Sequence, residues 1–348
     1  MISIHTLELT LETNAKEFHN LLSRAYKMAK KYKHRVGYST KHTSHDVRVD
    51  DFLASDGITV EYHNCDYRKM IKFRVNPSEV LGGSDLKLWK PNDSNIRKFV
   101  TLLEHHIDDY LDSSYFLNDL VLTRIEFTSN LNVGKENVAA YIHLMYKIGK
   151  VKKFSPKYGI SDFATGRIVK DHSFDLEGNT NGIGFTVYDK EADLKKKGKY
   201  DKAKKAKGIL RIEVRLKKRK AVQKALSDLT DKQNLTTDKE IRLIAKNCMK
   251  IFMDSFIAII PYGNFYRLKD AEELINSSDI KKKRKDKMIT LLHLIPKKKS
   301  LYLALKDLNV RNTNDVLIWF AKLNLSPVTI SKREKTDFLR NIYDYLES

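Results

Sequence analysis

Three short segments each set reactive side chains into an otherwise apolar strand pattern. They are Leu122-Thr123-Arg124-Ile125-Glu126-Phe127, Ile183-Gly184-Phe185-Thr186-Val187-Tyr188-Asp189-Lys190 and Ile209-Leu210-Arg211-Ile212-Glu213-Val214-Arg215-Leu216. Side chains alternate faces along a strand, so with Ile125 and Phe127 in a core, Arg124 and Glu126 share the other side. Burial of Phe185 and Val187 leaves Tyr188 outside by the same rule. Burial of Leu210, Ile212, Val214 and Leu216 lines up Arg211, Glu213 and Arg215 opposite them. The expectation is that two carboxylates, a tyrosine and several arginines meet on one open sheet face. That set suits metal-assisted chemistry on a phosphodiester.

Cleavage of a phosphodiester by a protein nucleophile needs an attacking oxygen, a cation on the non-bridging oxygens and stabilisation of the leaving 3′ oxygen. Tyr188 is the candidate nucleophile. An ordinary tyrosine is only about 0.1% phenolate at neutral pH, so Lys190 or a bound metal has to favour the ionised form. Glu126 and Glu213 are candidate oxygen ligands for Mg²⁺ or Mn²⁺. Arg124, Arg211 and Arg215 are candidate phosphate grips. The same alternation of arginine and glutamate also describes a solvated face with cross-strand ion pairs, and the residues alone leave both readings open.

The chain has 348 residues, enough for two domains with separate cores. Its 65 Lys and Arg against 44 Asp and Glu give a net charge of +21, which favours a polyanionic partner, with nucleic acid the leading class. Cys65 and Cys248 are too few for a disulfide framework or a cysteine zinc site, which predicts a cytoplasmic protein. No run of 18 apolar residues is present, and the N-terminal residues alternate like a strand rather than a signal peptide, so no membrane association is expected.

Positioning those side chains requires a scaffold, and the hydrophobic periodicity supplies one. Residues 2–11 alternate as a first strand, 15–31 carry a helical stripe, and 57–75 read as a hairpin broken near His63 to Asp66. Asp93 is the expected cap of a helix to about Tyr110. A strand over 120–128 and a helix over 135–148 follow. Residues 152–182 read as a polar loop with room for one or two strands. The Tyr188 strand is expected to run into a helix through Leu194, and the lysine-dense stretch after it makes Lys195, Lys196 and Lys197 candidate DNA contacts. From about 220 helices are expected at 220–228, 237–260, 268–276, 279–294, 299–308, 313–323 and 331–346. Residues 300–323 have helix–turn–helix proportions, with Thr313 as the expected cap of the second helix. Lys281, Lys282, Lys283, Arg284 and Arg311 are further candidate DNA contacts. The pattern predicts an α+β fold: a mixed sheet with helices on one face over 1–219, then an all-helical domain over 220–348.

Four stretches taken in order resemble a known family. They are Phe73-Arg74-Val75-Asn76-Pro77-Ser78-Glu79-Val80-Leu81-Gly82-Gly83, Thr123-Arg124-Ile125-Glu126-Phe127-Thr128 with Glu136-Asn137-Val138, Thr186-Val187-Tyr188-Asp189-Lys190, and Gly208-Ile209-Leu210-Arg211-Ile212-Glu213-Val214-Arg215. They are similar to motifs of the rolling-circle replication initiators of filamentous phages (the gene II-type nicking proteins) and of related plasmids. The resemblance covers roughly 57–220, and more weakly 284–330.

It implies a relaxase-like nicking domain in which Tyr188 forms a covalent 5′-phosphotyrosine link, Lys190 sits beside it, and Glu126 and Glu213 belong to the site of a Mg²⁺ or Mn²⁺ ion. It further implies nicking and rejoining of one strand at a replication origin. DNA would be bound both as a double-stranded origin and as a single-stranded nick site, with a host helicase as a further partner and a homodimer as one oligomeric state. One departure is plain: the His-hydrophobic-His triplet of the wider nickase superfamily is missing. Two alternatives stay open, a conjugative or mobilisation relaxase and a non-catalytic sequence-specific DNA-binding regulator.

Overall fold

The computed structural model describes residues 1–32, 35–41, 44–50, 56–65, 67–84, 86–112, 114–156, 172–178, 182–310 and 312–347. Its strands are β1 (Ile2–Thr13), β2 (Arg35–Lys41), β3 (Ser44–Asp50), β4 (Ile58–Cys65), β5 (Arg68–Val75), β6 (Val121–Asn132), β7 (Phe154–Pro156), β8 (Ser173–Gly178), β9 (Ile183–Asp189), β10 (Ile209–Leu216), β11 (Phe265–Tyr266) and β12 (Phe338–Leu339). Its helices are α1 (Ala15–Tyr32), α2 (Pro77–Val80), α3 (Asp93–Leu111), α4 (Val138–Ile148), α5 (Lys190–Lys196), α6 (Tyr200–Lys205), α7 (Arg219–Ser227), α8 (Thr237–Lys246), α9 (Cys248–Ile259), α10 (Leu268–Ser277), α11 (Lys282–Lys298), α12 (Leu301–Asp307), α13 (Thr313–Lys322) and α14 (Ile342–Glu347).

The fold class is α+β, with a large sheet and a helical C-terminal region. Contacts gather the chain into two compact units, each discontinuous in sequence. The first comprises Ile2–Thr128 and Arg215–Ile251, and the second comprises Met1, Ser129–Val214 and Phe252–Ser348. The division into a nicking segment 1–219 and a recognition segment 220–348 concerns function and stays a proposal.

In the first unit the strands are ordered β2-β3-β4-β5-β1-β6. The pairs β1–β5, β2–β3, β3–β4 and β4–β5 are all antiparallel. Leu7 and Leu9 of β1, Val60 of β4 and Phe73 and Val75 of β5 are completely buried, and each such side chain contributes about 1.5–3 kcal/mol of burial. Helix α3 puts Phe99, Val100, Leu103 and Ile107 into this core at helical spacing. The Tyr110 ring meets Phe73 edge-on at 5.5 Å, and the Tyr62 hydroxyl donates to the Leu21 carbonyl of α1 at 3.3 Å.

In the second unit β10, β9, β8 and β7 are adjacent in that order, with the end of β6 beside β10, and β7–β8 and β8–β9 are antiparallel. Helix α4 packs against β8 and β9, and the Tyr146 hydroxyl donates to the Ser173 carbonyl at 2.7 Å. Phe185 of β9 meets Phe256 of α9, which in turn packs edge-on against Tyr343 of α14 at 4.9 Å. Gly208 opens β10 at φ +80°, and a Cβ there would lie 3.0 Å from the Lys135 backbone nitrogen, so only glycine lets the two chain segments approach.

Several expectations are corrected. The cap of α3 is Asn92, whose side chain accepts from the Asn95 N–H, and the cap of α13 is Asn312 rather than Thr313. The helix expected over 237–260 is two helices separated at Asn247. The helix expected over 331–346 is instead the short strand β12, paired with β11, followed by α14. The open sheet face fails along β10: Arg211 is 0% and Glu213 7% exposed, while Leu210, Ile212 and Val214 on the alternate face are 0% exposed. This strand has a neighbour on each side and both its faces are covered. Its charged residues tolerate burial because each finds a partner.

Candidate active site

The site in the second unit is built around the junction of β9 and α5. The Asp189 carboxylate closes the strand and caps the helix, accepting from the Glu191 and Ala192 N–H groups at 2.8 and 3.2 Å. Tyr188 therefore ends the strand and Lys190 begins the helix, two residues apart. The Tyr188 hydroxyl donates to Glu213 Oε1 at 2.7 Å. The Lys190 ammonium lies 5.9 Å from the centre of the Tyr188 ring, within cation–π range, and 3.2 Å from Asp193 Oδ2. Lys190 is buried, and so is Arg211, whose Nε donates to Asn130 Oδ1 at 2.7 Å.

Burial holds the Tyr188 phenol well above the usual tyrosine value, and the neighbouring Glu213 carboxylate pushes it the same way. The Arg211 guanidinium pulls in the opposite direction without overcoming them. The phenol is therefore protonated at neutral pH, with its proton already aimed at a carboxylate oxygen. Burial raises the Asp193 carboxyl, but its contacts with Lys197 and Lys190 more than offset this and hold it low. The arrangement joins a nucleophile-type hydroxyl to a proton acceptor and places two cations near them, the minimum for general-base attack on an electrophile.

Of the residues singled out in the sequence, the fold brings together Tyr188, Glu213, Lys190 and Arg211. Glu126 belongs to the first unit and ion-pairs with Arg124. Burial raises its carboxyl, but the charges of Arg124, Arg74 and His5 outweigh burial and hold it below the usual range. Arg215 is half-buried, also in the first unit. Lys195 is paired with Glu191 at 2.6 Å and Lys197 with Asp193 at 2.9 Å, while Lys196 is exposed. Lys281, Lys282, Lys283 and Arg284 are exposed at the start of α11, with the Arg284 guanidinium 5.2 Å from the Trp319 ring centre. Arg311 lies outside the described residues.

Two functional partners escaped the sequence reading. Asp193 grips both Lys190 and Lys197, and Asn130 anchors Arg211. The i, i+3 spacing of Lys190 and Asp193 on a helix was a signal for the first, whereas nothing local marks Asn130. Among the described residues no three His, Cys, Asp or Glu side chains gather as a metal-holding group. Glu213 nonetheless offers the hard oxygen donor that Mg²⁺ takes together with substrate phosphate oxygens and water.

No protein-family model matches the chain, and no curated protein sequence matches it. Among solved structures, a rolling-circle replication initiator protein from Geobacillus stearothermophilus is similar over 65% of this chain and 78% of its own, at 11% identity and a TM-score of 0.32. Likeness at that level assigns neither activity nor site to this chain. Among the described residues no helix is long and apolar enough to cross a membrane.

Proposed function

We propose that the chain is a DNA nicking and joining enzyme of the rolling-circle initiator type, with Tyr188 as nucleophile. The observation that carries this reading is the 2.7 Å hydrogen bond from the Tyr188 hydroxyl to Glu213, with Lys190 beside the ring. Glu213 takes the phenolic proton as Tyr188 Oη attacks the scissile phosphorus. The Oη–P bond forms and the P–O3′ bond breaks, leaving the 5′ end on the protein, and the released 3′ oxygen takes a proton from water. Because the phenol is held protonated, proton transfer accompanies attack rather than preceding it. Lys190 and Arg211 supply positive charge near the developing phosphorane. Joining is the reverse: a 3′ hydroxyl attacks the phosphotyrosine and Tyr188 regains its proton from Glu213.

Mg²⁺ or Mn²⁺ belongs to the proposal as an ion held by Glu213 and the scissile phosphate, where it would withdraw charge from the non-bridging oxygens. Glu126, the second carboxylate of the metal expectation, stays a proposal to be tested apart. Arg124, Arg215, Lys195 to Lys197, Lys281 to Arg284 and Arg311 are proposed DNA contacts. Recognition of a double-stranded origin is proposed for the helical segment around α12 and α13. A host helicase, a homodimeric state and a cytoplasmic location complete the reading.

The test is incubation with single-stranded origin-type DNA followed by mass spectrometry of tryptic peptides. A nucleotide attached to the Tyr188 peptide is expected, and its loss in Tyr188→Phe with DNA binding intact. A Tyr188→Phe protein that still nicks ends the reading. A protein that binds DNA specifically but never nicks is a regulator.

A further inference from the structure

A second basic surface lies in the first unit and contains none of the residues proposed above for nicking or DNA contact. A cleft of about 600 Å³ opens between α3, the α7–α8 connection and α8. Its cations are Arg97, Lys232, Lys239, Arg242 and Lys246, and its single acid is Asp93. Lys239, Arg242 and Lys246 recur at i, i+3 and i+7, so one face of α8 carries them all. Arg97 comes from the first turns of α3, next to the buried Ile96 and four residues after Asp93, and its side chain is exposed.

The charges are barely neutralised. Lys246 and Asp93 are 3.7 Å apart, and Arg242 and Asp238 are also 3.7 Å apart. Among the described residues Arg97, Lys232 and Lys239 make no ion pair. Uncompensated like charges repel, so gathering five cations, three of them without an ion pair, around one concavity costs stability unless an anion is bound there. The remaining lining is aliphatic or small, Ile96, Leu235, Leu243 and Thr230. No aromatic side chain lines the cleft to stack a base, and no amide lines it to read a base edge. Lys239 to Lys246 spans about 10 Å of helix axis, the axial rise of about three nucleotides of one strand.

We propose that this cleft binds the phosphate backbone of duplex DNA without regard to sequence, and so holds DNA flanking the nick site. Its assignment to DNA rather than another polyanion rests on the function proposed above. Phosphate contacts position a protein on a duplex while carrying no sequence information, which is the chemistry this lining offers.

The experiment compares the full-length protein with R97Q/K239Q/K246Q, measuring affinity for two unrelated duplexes between 50 and 200 mM salt. Each lost phosphate contact removes about 0.9 from the slope of log K against log salt, so the slope is expected to fall by about two to three, equally on both sequences. Should that variant fail to fold, R97Q/K232Q alters two exposed side chains only and is expected to lower the slope by about one to two. An unchanged slope in a folded variant overturns the proposal, as does weakening on one sequence alone. Nicking of a short single strand by R97Q/K239Q/K246Q reads Tyr188 independently. Normal nicking with an unchanged slope sinks the cleft alone, and a Tyr188→Phe protein that nicks sinks the function alone. A wild-type protein that binds heparin but no duplex overturns the assignment of the cleft to DNA.

Discussion

The Tyr188 hydroxyl donates to Glu213 Oε1 at 2.7 Å, joining the end of β9 to the middle of β10 through two half-buried or buried side chains. A phenol held above its ordinary pKa stays protonated at neutral pH, so a base has to take its proton as it attacks. Glu213→Gln keeps the shape and a hydrogen-bond acceptor but removes the base. Its single-turnover nicking is expected to fall by about 10²–10⁴-fold, with DNA affinity within a few-fold of wild type. Nicking at the wild-type rate would remove Glu213 from the mechanism.

Metal dependence is separable from this. Chelation is expected to abolish cleavage, with Mg²⁺ or Mn²⁺ restoring it, while binding to duplex DNA persists. Titrating Mg²⁺ against the nicking rate of Glu126→Gln then reads the second carboxylate: a raised metal requirement places Glu126 at the ion, and an unchanged one assigns it to its ion pair with Arg124.

The pH dependence of stability has two arms. The Tyr188 pKa is raised in the fold, so its contribution is complete below the unfolded value of about 10 and is lost as pH climbs through the folded one. Tyr115, pushed up to about 12 by burial and its hydrogen bond to Glu17, acts the same way. The Glu126 carboxyl is lowered, so its contribution is present above about 4.5 and is lost as pH falls through the folded value. Urea midpoints at pH 3.5, 7 and 11 are expected to peak at pH 7. Tyr188→Phe should lose less than wild type between pH 7 and 11, and Glu126→Gln less between pH 7 and 3.5.

The first unit carries a two-pronged ion pair. Arg219 donates through two nitrogens to Glu240, each at 2.6 Å, and also to the Leu122 carbonyl at 3.1 Å. Glu240 is buried, so Arg219→Ala strands a carboxylate and is expected to cost about 3 kcal/mol in urea unfolding. The double variant R219M/E240L should cost clearly less, because it removes both charges together. Equal losses would show that the pair is not coupled.

Much of this molecule was legible from periodicity. The hairpin of β4 and β5, the helical stripe of α1, the stretch of β9 leading into α5, and most helices after 219 follow from apolar spacing of two or of three to four residues. The side chains of Tyr188 and Glu213 were recognisable as chemically suited because each interrupts the apolar alternation of its strand. Caps were misplaced by one residue at Asp93 and Thr313 because Asn, Asp and Thr all satisfy a first-turn N–H, and only the backbone path selects among them. The break at Asn247 escaped because apolar residues continue at helical spacing across it.

The type of most of the longer elements, the net charge and the kinds of reactive group were thus determined by the sequence, since each is encoded in neighbouring residues or in a sum over them. The tertiary structure alone decided that Glu213 receives the Tyr188 proton, that Glu126 pairs with Arg124, and that Arg211 is sealed in and held by Asn130. Alternation states which residues share a face of one strand, but not which strand lies alongside, in what register, or what covers that face.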